Sequence, residues 1–230
     1  MNKILITQSN YIPWKGYFDS IHVTDRFVVY DDMQYTKNDW RNRNLIKTTK
    51  GLKWITVPVL RESLNQKIKD TKIAKSTWNR SHWDMLKQNY KDAACYLEVK
   101  DFVENLYMTA DSQYLTEINI HFLRHICEFL GIHFNIKMSS EFQLPEDRNQ
   151  RLVDICLALG GTNYYSGPAA KNYMELEKFA AEKINVHFFD YTGYPEYSQL
   201  YSPFEHGVSI LDLIFNEGSS AAKYLKYTSP

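Results

Sequence analysis

The chemistry-bearing residues of this chain concentrate near its start. Residues 31–44 read DDMQYTKNDWRNRN, and residues 8–14 read QSNYIPW. The first segment packs an adjacent pair of acids, two arginines, a lysine and four amide side chains into one short stretch. Such a density of polar groups is unfavourable for a core and points to a binding site or a surface network. Asp31 and Asp32 are suited to taking a proton from an amine or holding a cation. A turn with a capping Asp is the plainer reading, and it explains one acid better than two. Arg41 and Arg43 alternate with Asn42 and Asn44, so an extended backbone would put both guanidinium groups on one face. Arginine matches phosphate or carboxylate bidentately, and a salt-bridged surface strand is the competing reading. Gln34 and Lys37 lie between the acids and the arginines as further polar contacts. In the earlier segment, Gln8, Asn10 and Tyr11 could hydrogen-bond a polar ligand and Trp14 could stack on it. A structured loop with a core Trp would explain the same residues.

Other candidates are more dispersed. His82 is a candidate base with no partner visible nearby. His121 and His125 stand four apart on a helical pattern, where a solvated face is the simpler reading. His206 lies in a Gly-bounded loop. Ser166 and Gly167 precede Pro168 at a helix start, where backbone N–H groups can meet an anion. Asp212 and Asn216, one helical turn apart, either face a site or bond each other. Cys95, Cys127 and Cys156 carry no nucleophile signature. No GxSxG, P-loop or GxGxxG occurs, which leaves serine hydrolysis, P-loop nucleotide binding and classical dinucleotide binding without support.

The elements that would position these residues follow from apolar patterning. Residues 3–8 and 26–30 read as buried strands that run directly into the two polar segments, as strands do at α/β ligand sites. A helix is expected over 14–22, a strand over 54–59 with Pro58 near its end, and a long polar loop or hairpin over 60–76. Helical spacing begins near Ser76. It is strongest at Leu115, Ile118, Phe122, Ile126 and Phe129, with Gly131 as a C-cap. A strand at 134–136, a helix at 149–159, a helix from the SGPAAKNY turn to Ala181, a strand at 186–189 and an amphipathic helix at 209–218 complete the chain. This alternation predicts an α/β fold, with a Rossmann-like mixed sheet in the N-terminal part and a helical middle and C-terminal portion.

At 230 residues the chain is long enough for one large core or a core with a subdomain. Its formal net charge of zero argues against a dedicated nucleic-acid binder. The 17 tyrosines and 5 tryptophans are read mostly as core filling. Three scattered cysteines fit a reducing compartment. No apolar run approaches a membrane span or a signal-peptide core, so the expectation is a soluble, cytoplasmic protein.

Six stretches together resemble the WbqC-like family, found in bacterial surface-polysaccharide (O-antigen) gene clusters. They are QSNYIPWKGYFDSI, FVVYDDMQYTKNDWRNRNLIKT, WITVPV, the segment around His82, YYSGPAAKNY and SILDLIFNEG. The resemblance spans nearly the whole chain. It implies one domain over residues 1–230, with a helical subdomain at about 76–180. Members have been suggested to be glycine transferases acting on an amino sugar, and they often read HQPNY where this chain has Thr7-Gln8-Ser9-Asn10-Tyr11. The resemblance therefore implies an acyl or aminoacyl transferase acting on a nucleotide-linked amino sugar. Asp31, Asp32 or His82 would take the amine proton, and Arg41 and Arg43 would hold the pyrophosphate. Gln8, Asn10, Tyr11, Trp14, Gln34, Lys37, Asn44, Ser166, Gly167, Asp212 and Asn216 would contact substrate. A thioester donor, delivered by an acyl or aminoacyl carrier protein, needs no enzyme nucleophile, whereas free glycine would need ATP and magnesium. No cofactor and no metal site is assigned. A nucleotidyl- or glycosyl-transfer enzyme and a non-enzymatic scaffold of the polysaccharide pathway are the alternatives.

Overall fold

The run Ile4-Leu5-Ile6 is apolar on both of its faces, the pattern of a strand covered from both sides. In the computed structural model, which describes residues 2–227, it is the centre of the protein. Strand β1 (Lys3–Thr7) pairs in parallel with β2 (Arg26–Val29) on one side and with β6 (Asn163–Ser166) on the other. β5 (Ile136–Met138) continues beyond β2, and β7 (Asn185–Phe188) beyond β6. The order β5-β2-β1-β6-β7 is parallel throughout. The chain steps from β1 to β2 through helix α1 (Lys15–His22), and later steps the other way through α5 (Arg148–Ala158) and α6 (Leu176–Ala181). Because crossovers of this kind are right-handed, reversing direction moves the helices to the opposite face. Two cores result. Leu5, Phe27 and Val29 pack with α1 and the helical middle, while Ile4, Ile6, Val28 and Tyr30 pack with α5 and α6.

The antiparallel component lies apart, as a hairpin of β3 (Arg43–Thr48) and β4 (Gly51–Thr56). The strand expected over 54–59 therefore ends at Thr56 and belongs to no larger sheet. One face of the hairpin buries Asn44, Ile46 and Ile55. The helical middle is α2 (Trp78–Tyr90), α3 (Tyr96–Met108) and α4 (Leu115–Phe129). The SGPAAKNY turn does not lead into one long helix. A 3-10 turn over Pro168–Asn172 is separated from the short α6. The last helix, α7 (Ile210–Glu217), buries Ile210 through Asn216 all round, because an irregular strap over residues 189–209 covers its polar side. Its expected amphipathic character is thus absent from the surface.

Candidate functional site

The segment after β1 is held from behind by a buried carboxylate. Asp31, at the end of β2, is 1% exposed. Its Oδ1 accepts the Ser9 backbone N–H at 2.8 Å, and its Oδ2 accepts the hydroxyls of Ser9 and Thr116, both at 2.6 Å. Asn119 of α4 donates to Ser9 Oγ and to the Arg41 carbonyl, both at 2.9 Å. Burial pushes the Asp31 carboxyl above its usual range, against the three hydrogen bonds and Arg41. This acid shapes the loop; neither oxygen faces a cleft.

In front of it, Arg41 joins the two arms of the loop. One guanidinium nitrogen donates to Asn10 Oδ1 and the other to Gln8 Oε1. Asn44, 2% exposed, donates from Nδ2 to the Tyr11 and Ile12 carbonyls at 3.1 and 3.0 Å. That clamp holds Ile12 at φ +37°, a conformation that a β-branched residue adopts only when its surroundings impose it. Arg43 does not join Arg41. Residue 41 lies in a turn ahead of β3, so strand alternation does not relate the two, and the Arg43 guanidinium stacks 3.9 Å above the Trp54 ring.

Two clefts meet this loop. The larger, about 620 Å³, opens at the carboxyl ends of β1 and β6, where the direction of winding reverses. Thr7, Gln8, Tyr30, Ser166 and Gly167 line it, together with Arg148 and Asn149 from the first turn of α5 and Glu175 ahead of α6. Asp147 caps α5 by accepting the Gln150 N–H at 2.7 Å, and the first turn of that helix lines the cleft. The smaller cleft, about 340 Å³, is lined by Asn10, Pro13, Trp14, Trp40, Asn44, His206 and Gly207.

The structure thus brings Gln8, Ser166 and Gly167 to one cleft and Asn10, Trp14 and Asn44 to the other, with Arg41 between. The remaining candidates lie elsewhere. Tyr11 is fully buried. His82 is 6% exposed, with its Nε2 on the Thr56 carbonyl at 3.1 Å and its Nδ1 on the Tyr11 hydroxyl at 2.8 Å. A carbonyl only accepts, so Nε2 carries the proton, Tyr11 donates to Nδ1, and Tyr107 donates to Tyr11. Burial lowers the His82 pKa to about 4. Asp32 pairs with Lys69 at 2.6 Å and accepts from Ser139 at 2.7 Å; these contacts hold it below its usual range despite partial burial. Gln34 donates to the Leu64 carbonyl, and Lys37 is exposed with no ion pair among the described residues.

Asp212 and Asn216 are anchors of the strap. Asp212 accepts from Tyr90 at 2.8 Å, Tyr197 at 2.6 Å and Gln199 at 2.7 Å, and burial raises its pKa. Asn216 donates to the Asp212 carbonyl and accepts the Leu200 N–H. Two buried lysines, which sequence reasoning missed, hold the same strap. Lys47 donates to Gln199 Oε1 and to the Tyr201 and Pro203 carbonyls, and Lys15 donates to the Pro195 carbonyl at 2.6 Å. Lys15 sits among the rings of Tyr194, Tyr197 and Phe204, and burial lowers its pKa to about 8. Arg148 was also missed, although Asp147 ahead of it is a visible helix cap. The rings of His121 and His125 lie 4.5 Å apart and tilted, and no cluster fit for a metal ion occurs among the described residues.

A parallel sheet wound in both directions, with a cleft where the winding reverses, defines a doubly wound α/β protein. The chain belongs to the WbqC-like protein family, whose model matches residues 8–224. It is similar to the uncharacterized protein Rv1507c of Mycobacterium tuberculosis, 46% identical over 228 residues and 99% of each chain. No solved structure matches it. No helix among the described residues is long and apolar enough to cross a membrane.

Proposed function

We propose that this protein transfers an acyl or aminoacyl group to the amine of a nucleotide-linked amino sugar in bacterial surface-polysaccharide biosynthesis. The observation that carries the reading is the cleft of about 620 Å³ at the reversal of strand order. Open parallel sheets bind nucleotides at that place, where strand ends and a helix N-terminus converge. Arg148, at the start of α5, would be the cation for a diphosphate, and Ser166 and Gly167 line the same cleft.

With a thioester donor, the sugar amine attacks the carbonyl carbon. The new C–N bond forms as the C–S bond breaks, and the proton lost by the attacking amine goes to the departing thiolate, which leaves as the thiol. The protein then has to hold the two reactants together and bind the amine where it is neutral. Asp31 contributes by fixing the Gln8–Asn10 loop, and His82 by packing α2 under the hairpin.

The test is a thermal-shift panel on the full chain. It compares UDP- and dTDP-linked glucosamine with their glucose counterparts, the free diphosphates and ATP. A ligand of the native state raises the melting temperature as its concentration passes its dissociation constant. Shifts with the nucleotide sugars that weaken about tenfold in apparent affinity with Arg148→Ala are expected. A shift with ATP alone would favour nucleotidyl transfer or ATP-dependent ligation, and no shift with any compound would sink the reading.

A further inference from the structure

The smaller cleft contains side chains that nucleotide binding does not use. Trp14 is wedged edge-on against Tyr191 and tilted against Tyr194, with ring centroids 5.2 Å away in both cases. Its indole lies over Gly16, where an added Cβ would come within 2.3 Å of the ring. Trp40 lines the same cleft and rests on Trp54 at 5.1 Å, yet stays 41% exposed. Two fixed indoles with amides beside them form the kind of wall that covers apolar C–H faces while polar groups meet hydroxyls.

His206 closes the cleft. Its ring packs edge-on against Phe204 at 4.7 Å. Its Nδ1 is buried without a partner, while Nε2 makes no hydrogen bond among the described residues and is left open. The charged groups around it are Lys15 from α1 and Glu196 and Glu205 from its own strap. Burial and the Lys15 ammonium hold the imidazole below its usual pKa, against the two glutamates. With its proton on Nδ1, the neutral imidazole accepts a hydrogen bond from an amine at Nε2, whereas an imidazolium could only donate.

Position completes the case. Gln8 lines the larger cleft, Asn10 lines the smaller, and both accept from the one Arg41 guanidinium. The two clefts thus lie on either side of one loop, and a sugar attached to a nucleotide at the strand ends would have to cross that loop to enter the smaller one. Resting on the functional reading above, we propose that the smaller cleft is the subsite for the amino-sugar ring, with Trp14 and Trp40 against its faces and His206 Nε2 accepting from its amine.

Calorimetric titration of the full chain with UDP, UDP-glucose and UDP-glucosamine, and with the dTDP series, tests this. The sugar conjugates are expected to bind about tenfold tighter than the free diphosphate, with glucosamine ahead of glucose. Trp40→Ala should remove most of the gain for both sugars. His206→Leu should erase the preference for the amine, and His206→Gln, which keeps an acceptor, should restore part of it. Free-diphosphate binding, read at the other cleft, reports that each variant is folded. Diphosphate binding with no gain from the sugar, or an amine preference that survives His206→Leu, overturns this proposal alone. Failure of every compound to bind overturns the transferase reading and this subsite with it.

Discussion

Replacing His82 with glutamine removes a titration from the interior of the protein while keeping its two hydrogen bonds. A glutamine amide can donate to the Thr56 carbonyl and accept from the Tyr11 hydroxyl, as the imidazole does. The imidazole pKa falls from 6.5 to about 4 on folding, chiefly through burial. Between those values the unfolded chain binds a proton that the folded chain refuses. His82 therefore contributes its full stability above pH 6.5 and loses it as pH falls toward 4. Each pH unit is worth about 1.36 kcal/mol, so the loss over the window is about 3 kcal/mol. At 6% exposure, solvent screening does little to reduce it. For a chain of this length that is roughly 6–12 °C in melting temperature. Asp31 and Asp212, whose carboxyls are raised by burial, favour folding toward low pH, and they contribute equally to both proteins. The difference between His82→Gln and wild type, measured by urea unfolding from pH 7 to pH 4, isolates the histidine. Wild type should lose about 3 kcal/mol relative to the variant, and the His82 ring resonance should not titrate above pH 5. Parallel stability curves, or a ring titrating near pH 6.5, would refute the buried hydrogen-bond chain that keeps the imidazole neutral.

Two other substitutions probe the clefts through their supports. Gly16→Ala places a methyl group against the Trp14 indole, which Tyr191 and Tyr194 hem in. Overpacking of this kind costs about 1–3 kcal/mol, and calorimetry should show nucleotide-sugar affinity falling while free-diphosphate affinity holds. Gln199→Leu removes the amide that joins Lys47 to Asp212 and leaves both charges short of a partner. Urea unfolding should show a loss of about 1.5–3 kcal/mol, and a loss under 1 kcal/mol would mean that the charges do not depend on the bridge.

The parts of the fold set by local pattern were legible. Runs such as Ile4-Leu5-Ile6 and Phe27-Val28-Val29 marked strands covered on both faces, and the strong period in α4 marked its helix. Strand order was not legible, because β1 lies beside β6 only through pairing across most of the chain. The larger cleft exists because of that pairing, so Ser166 and Gly167 could be suspected while Arg148 could not be placed beside them. Asp31 and Asp32 look equivalent in sequence. At the end of β2 they diverge, one inward to Ser9 and Thr116 and the other outward to Lys69. Arg41 and Arg43 failed to share a face because one of them precedes the strand. Nothing local marks Lys15 and Lys47, since the carbonyls that receive them arrive more than 150 residues later.

Those two lysines explain how an irregular strap can deliver a side chain to a cleft. Residues 189–209 form no helix or strand, so their carbonyls find no regular partners, and a buried carbonyl without a donor is costly. An ammonium group carries three donors on a compact head. Lys47 uses them on Gln199, Tyr201 and Pro203, and Lys15 takes the Pro195 carbonyl. The charge this brings inside is offset through Gln199, which accepts from Lys47 with its oxygen and donates to Asp212 with its nitrogen. Gln199 also donates to the Glu205 carbonyl and accepts the Glu205 N–H, so the residue next to His206 is fixed by the same amide. The position of His206 at the mouth of the smaller cleft is therefore set by charges on α1, β3 and α7. A change at any of the three would reach the cleft through the strap, without touching a residue that lines it.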